Sequence, residues 1–315
     1  MQVIEPVYNN IPLNILRRMG KTVRIGVGAA VPIVQEAGAF SGIIFGTANG
    51  GMEESILFLK QIIEYDEGLL TPGSFVQSTS NATASQLSLL CINRGYNITH
   101  VHRGLAFENA AIDAAMMLAE NKQNSYLLGG VDEIANYNYK LDYLADWYKK
   151  EPVTHENLYD SASPGTIAGE GAAIFLVNNE PDHALAKVEA IHTIHTTEPG
   201  IVKQELQHFL KKHSRHIIDL FITGENGDNR LQTFYEGCEK LIDQDTTIVR
   251  FKHLCGEYPT ASSFALWLSC QILNGLILPE HMIKRMLSAR KYRNILIYNS
   301  HKGKQHSFMI VSRGK

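Results

Sequence analysis

Apolar residues recur along this chain in two rhythms, short continuous runs and helical spacings, and the two alternate. Gly42-Ile43-Ile44-Phe45-Gly46-Thr47 is a mostly apolar run closed by a glycine-rich turn, after which Met52, Ile56, Leu59 and Ile63 recur at helical spacing. This predicts strand, turn and amphipathic helix. After a break at Thr71-Pro72-Gly73, residues 82–94 read as a helix stopped by Gly95, a favourable residue just past a helix end. Residues 98–101 read as a strand, and 105–120 as a helix apolar on nearly every face, as a centrally buried helix should be. Runs at 126–130 and 172–177 predict further buried strands. The second half repeats the order: a strand at 219–223, a helix at 231–242, a strand at 248–251, an apolar helix at 260–273, and a closing hairpin of 294–299 with 307–311. Two similar α/β halves, meeting near residues 180–185, imply layered sheets with helices between and around them.

Composition narrows the class. With 44% apolar and 19% charged residues over 315 positions, the chain has room for one large or two moderate cores. Its 29 basic residues are dispersed and offset by 32 acidic ones, which argues against a nucleic-acid surface. Residues 1–12 include Glu5 and Pro6 and lack the basic-then-apolar order of a signal peptide, and no apolar run reaches membrane-spanning length. A cytoplasmic location is the expectation, with no membrane or nucleic-acid partner. Cys91, Cys238, Cys255 and Cys270 are too widely spread for a zinc site or a disulfide frame and read as reduced, mostly buried thiols.

The candidate chemistry centres on residues 99–108, Thr-His-Val-His-Arg-Gly-Leu-Ala-Phe-Glu, followed by the buried helix and then Gly129-Gly130-Val131-Asp132-Glu133. Strand, tight turn and buried helix form the layout in which acyl-transfer folds mount a nucleophile at a helix N-terminus. The turn offers no Cys, Ser or Thr. Other local signals favour structural roles: Gly46 to Gly51 lacks the Lys and hydroxyl of a phosphate loop, and the pairs His192/His195 and His213/His216 lack a third metal ligand.

Taken together, several segments resemble the β-ketoacyl-acyl carrier protein synthases of the thiolase fold, specifically the ketosynthase-like proteins of aryl polyene and flexirubin pigment pathways. The similar segments occur in order: Val3-Ile4-Glu5-Pro6 with Leu16-Arg17-Arg18-Met19, Gly46 to Glu54, Phe75-Val76-Gln77-Ser78-Thr79-Ser80-Asn81, Gly129 to Glu133, Ala168-Gly169-Glu170-Gly171-Ala172-Ala173, and Lys252 with Gly256 to Ser262. The resemblance implies two βαβαβ halves (residues 1–182 and 183–315) in a layered α/β/α/β/α arrangement. It also implies a dimer interface, and a site that takes acyl chains on the phosphopantetheine arm of an acyl carrier protein, with no other cofactor and no metal.

The departures from that family matter more than the matches. An active synthase carries a Cys before its buried helix and two His residues on loops of the second half. By the resemblance those positions fall at Gly104, near Glu225, and at Glu257, while Lys252 persists. Loss of the thiol removes covalent catalysis, and carboxylates in place of imidazoles would repel a malonyl carboxylate. Synthases of this kind also begin with a strand and helix ahead of the segment resembling residues 3–19, so the first core strand of the first half is expected to be missing or supplied otherwise. The resulting expectation is a non-catalytic, chain-length-factor-like subunit that pairs with an active synthase or with itself, the partner completing the acyl tunnel. By family position Phe75, Gln77, Asn81, Gln86 and Leu87 are assigned to the interface. Phe107 and Met116 are assigned to the tunnel wall, against plain core packing as the simpler role. Two alternatives stay open: acid-base chemistry by Glu225 and Glu257, with His102 or Glu108, and a homodimeric scaffold that binds a carrier protein.

Overall fold

In the computed structural model, which describes residues 1–8, 11–182, 184–286 and 291–314, the run at 42–47 is a strand with every residue buried. The chain forms two units. Unit 1 comprises Met1–Leu141, Gly169–Asn179 and Tyr258–Ser263; unit 2 comprises Asp142–Ala168, Glu180–Glu257 and Phe264–Lys315.

Residues 1–182 contribute α1 (Leu13–Leu16), α2 (Lys21–Ala37), β1 (Gly42–Thr47), α3 (Met52–Glu64), α4 (Pro72–Gln77), α5 (Ala82–Cys91), β2 (Tyr96–Val101), α6 (Ala106–Glu120), β3 (Ser125–Asp132), α7 (Asn136–Leu144) and β4 (Gly171–Asn178). The sheet of unit 1 has the order β2-β1-β3-β4. β1 pairs in parallel with β2, from Gly42 opposite Tyr96 to Thr47 opposite Val101, and in parallel with β3, which pairs antiparallel with β4. A core of Ala30, Ile43, Phe45, Ala84, Leu87, Leu127 and Ile174 joins α2 and α5 to the sheet. α6 approaches so closely that a Cβ on Gly46 would lie 2.5 Å from the Ala106 carbonyl carbon, so only glycine fits there.

Two helix boundaries differ from the sequence expectation. The sequence shows a helical pattern that begins at Leu16 and takes in Gly26-Val27-Gly28, but the helix is broken at Gly20, whose backbone is extended, and α2 begins at Lys21. α5 ends at Cys91, not Arg94. Ile92 takes the left-handed conformation at φ 53°, and its N–H closes the helix on the Leu89 and Ser88 carbonyls, a role sequence assigns more readily to Gly95.

The rest of the chain forms β5 (Ala186–His195), α8 (Pro199–Lys212), β6 (Leu220–Thr223), α9 (Gln232–Glu239), β7 (Thr247–Arg250), α10 (Lys252–Cys255), α11 (Ala261–Leu273), β8 (Ile283–Arg285), β9 (Asn294–His301) and β10 (Gln305–Arg313). The sheet of unit 2 has the order β5-β10-β9-β6-β7-β8. Its expected closing hairpin is β9-β10, in register from Gln305 opposite His301 to Ser312 opposite Asn294. The core gathers Val202, Leu206 and Phe209 of α8 and Phe234, Tyr235 and Cys238 of α9 against Phe221, Ile248, Leu296, Tyr298, Phe308 and Ile310 of the sheet. Neither β5 nor α8 is predicted from the patterning. Among the described residues no helix is long and apolar enough to cross a membrane.

Candidate functional site

The nucleophile-type turn exists in unit 1. β2 ends at Val101, Arg103 takes a left-handed φ of 47°, a 3-10 turn runs over Arg103–Leu105, and α6 begins at Ala106. Such a backbone is costly for a non-glycine residue and marks a tightly determined turn. Gly104 is buried behind it, and Leu105, Ala106, Phe107 and Glu108 are buried in succession. Arg103 and His102 are exposed, and His102 Nδ1 lies 2.9 Å from Asn109 Nδ2.

Unit 1 also holds its loops together with two buried carboxylates. Asp132 at the end of β3 accepts from Thr47 Oγ1 and the Ala48 and Asn49 N–H groups through one oxygen, and from the Thr260 N–H and hydroxyl through the other. Burial pushes the Asp132 carboxyl up while these donors pull it down; the net direction is upward. Glu170 accepts from the Lys21 ammonium at 2.7 Å and from the Val3 and Ile134 N–H groups. Both lie in motifs already singled out, Gly129 to Glu133 and Ala168 to Ala173, but their partners are distant in sequence.

Unit 2 holds Glu225, Lys252 and Glu257. The loop after β6 carries Glu225 and Asn226, and turns at Gly227, where φ is 80° and a Cβ would meet Leu158 at 2.7 Å. β7 leads into α10, which starts with Lys252; Gly256, at φ 73°, turns the chain back so that the Glu257 N–H donates to the Ile167 carbonyl at 2.8 Å. Lys252 is fully buried and donates to Glu257 Oε1 at 2.8 Å. Glu257 Oε2 accepts from Asn226 Nδ2 at 2.9 Å. The ammonium, carboxylate and amide therefore form a closed buried set.

Glu225 is not part of that set. It pairs with Lys284, which also meets Glu239 at 2.9 Å, and with Arg250 at 3.7 Å. Both carboxylates proposed for acid-base work are thus neutralised by cations. The thiols offer no substitute nucleophile: burial pushes Cys238 and Cys255 up to about 12 and Cys270 up to about 11, and raises Cys91 as well.

The residues assigned to interface and tunnel separate by burial. Phe75 is 60% exposed, its ring tilted at 48° and 5.3 Å from that of Phe58, while Asn81 and Gln86 are half-buried and Gln77 is buried. Leu87 requires correction: it is fully buried in the core under α5 and presents no surface to an interface. Phe107 is likewise core, its ring 6.2 Å from Phe175, whereas Met116 is 61% exposed on α6 and has no part in the core.

Residues 2–152 match the family model of the beta-ketoacyl synthase N-terminal domain. Solved ketosynthases share the fold. A beta-ketoacyl synthase from Burkholderia phymatum STM815 superposes with a TM-score of 0.78 at 17% identity, covering 99% of this chain and 86% of that one. The AntDE:AntF structure, a type II polyketide synthase acyl-carrier protein in complex with its ketosynthase, gives 0.75 at 13% identity, covering 99% and 89%. The ishigamide ketosynthase/chain length factor gives 0.70 at 16% identity, covering 95% and 82%. Among curated proteins the sequence has no match. The fold class is therefore α/β of the thiolase-like ketosynthase kind.

Proposed function

We propose that this chain is a non-catalytic, chain-length-factor-like ketosynthase subunit that pairs with an active β-ketoacyl synthase in aryl polyene, flexirubin or related acyl chain assembly. The observation that carries the reading is the closed Lys252–Glu257–Asn226 set. A position that would have to polarise a thioester carbonyl instead neutralises the lysine beside it. The turn at Arg103–Gly104 supports it from the other unit, since a nucleophile platform is kept with glycine in the nucleophile's place. In this reading residues 1–182 and 183–315 are the two halves of the duplicated fold, α4 and α5 face the partner, and the ligand is an acyl chain on the phosphopantetheine arm of a carrier protein. The acid-base alternative is weaker because Glu225 and Glu257 are each held by a cation.

Incubation with acyl-loaded acyl carrier protein is expected to leave the intact mass of the chain unchanged, and co-expression with a Cys-bearing synthase is expected to yield a complex of the two. A stoichiometric acyl adduct, or a β-ketoacyl product made by this protein alone, would overturn the reading. Stable self-association without capture of any synthase would favour the scaffold alternative.

A further inference from the structure

A strap of unit 2, residues 149–166, is tied at both ends to the loop that carries Glu225 and Asn226. At one end the Lys149 ammonium donates to the Gly227 carbonyl at 2.9 Å, and at the other the Thr166 hydroxyl donates to the Asn226 carbonyl at 2.5 Å. Between them the fully buried Leu158 packs on Gly227. The middle of the strap is held differently, by a chain of aromatic side chains. Tyr159 Oη accepts the His253 backbone N–H at 3.3 Å and lies 3.1 Å from His253 Nδ1; His253 Nε2 lies 2.8 Å from His281 Nδ1. The rings meet edge to face, at 5.4 Å and 71° for Tyr159 and His253, and at 5.1 Å and 83° for His253 and His281. His253 is buried in α10 next to Lys252, while His281 is exposed.

We propose that the Tyr159–His253–His281 chain is an acid-released latch that holds the middle of the strap against α10. With His253 neutral, the arrangement that satisfies every group has the Tyr159 hydroxyl donating to Nδ1 and Nε2–H donating to His281. A proton added at Nδ1 displaces that hydroxyl. The imidazolium so formed is buried beside two fixed cations, Arg250, whose guanidinium lies 3.8 Å over the Tyr159 ring, and Lys252 on its own helix, with the rings of His155 of the strap and His281 adjoining. Glu225 is already engaged with Lys284 and Arg250, Glu257 with Lys252, and Glu156 of the strap lies 4.0 Å from His155. Cys255, the remaining titratable group of α10, is kept protonated by burial. Burial first, then the neighbouring His281, Arg250 and His155, pulls His253 down to about 4. Release therefore belongs to the acid side of neutrality and frees the strap from α10 beside Lys252.

The test is hydrogen exchange of the intact chain read by mass spectrometry, corrected for intrinsic exchange, between pH 7 and pH 4. Residues 153–165 are expected to lose protection at least tenfold across this range and to stay less protected than β6 and β7 at every pH, and His253→Gln is expected to flatten that dependence. Tyr159→Phe, which removes the hydroxyl and leaves the packing, is expected to lower strap protection at pH 7 and flatten its response to acid. Protection that is unchanged to pH 4, that equals that of β6 and β7 throughout, or that falls equally in either variant overturns the latch.

Discussion

Strands β2-β1-β3-β4 of unit 1 and β7-β6-β9-β10 of unit 2 follow one order with the same directions, parallel, parallel, antiparallel. They differ in what lies beyond. In unit 2, β8 pairs outside β7 and β5 pairs outside β10; in unit 1, among the described residues, no strand pairs outside β2 or β4. The consequence is read in burial. Phe308, Met309, Ile310 and Val311 of β10 are all buried, while Phe175, Leu176 and Val177 of β4 stay partly exposed although the two sequences are equally apolar. Neighbouring strands, not composition, decide how much of a strand's apolar surface leaves water.

That difference can be measured by truncation. Phe308→Ala opens a cavity in a filled core and is expected to cost about 3–5 kcal/mol in urea unfolding. Phe175→Ala removes a ring already partly hydrated, and the expected loss is about 1–2 kcal/mol. Equal losses at the two sites would mean that β4 is as enclosed as β10 in solution.

The two units also neutralise buried carboxylates differently: Asp132 of unit 1 uses five neutral donors, and Glu257 of unit 2 uses Lys252 and one amide. Removing a partner from a buried ion pair strands the other charge. Lys252→Met is therefore expected to destabilise by about 3–5 kcal/mol, and Lys252→Met/Glu257→Leu to recover most of it, short of the hydrogen bond from Asn226. A double variant as unstable as the single one would show that the pair is held by more than each other.

A smaller effect distinguishes the strands by pH. His306 of β10 is buried, with Nδ1 3.1 Å from the Tyr298 hydroxyl and Nε2 3.1 Å from the Thr196 carbonyl, so the neutral ring accepts at one side and donates at the other. Burial pulls it down to about 4 from 6.5. The unfolded chain then binds the proton first: stability is full above about pH 6.5 and falls as pH drops toward 4, by at most about 3 kcal/mol. Because His253 titrates in the same range, the measurement is the difference between the wild-type chain and His306→Gln. No difference would mean that His306 is hydrated in the folded chain.

Much of this was legible in the sequence, for a physical reason. β1, β3, β9 and β10 are continuous apolar runs because they are interior to their sheets, and such runs stand out from their surroundings; β4 reads as one too, although it is an edge strand and only partly buried. β5 does not: Lys187, Glu189, His192 and His195 interrupt it, and its place is fixed by pairing with β10 more than a hundred residues away. The site divides in the same way. Lys252 and Glu257 were visible as motif positions, but that one neutralises the other depends on the left-handed turn at Gly256, and Asn226 reaches them from 31 residues away. The Tyr159–His253–His281 chain joins three segments with no shared pattern. Local periodicity records burial, and it carries no record of which polar groups meet.

The smallest expected change in stability is at Phe75, where the expected change in assembly is large. In unit 1 large apolar side chains are also left uncovered on α3, α4 and α5: Ile63 is 82% exposed, Phe75 60%, Val76 62% and Leu89 75%. Phe75→Glu places its charge in water, so the monomer should change by no more than about 0.5 kcal/mol. If that surface is covered by a partner, the same carboxylate becomes an unpaired buried charge and the assembly should be lost. Light scattering across a dilution series reads the mass directly, with Lys122→Glu as the substitution expected to change nothing. Leu87→Glu separates the two causes of failure: its site is core, so it should unfold the chain rather than dissociate it. A wild-type chain that is monomeric at micromolar concentration and captures no Cys-bearing synthase would leave the exposed face of unit 1 without the partner that the subunit reading requires.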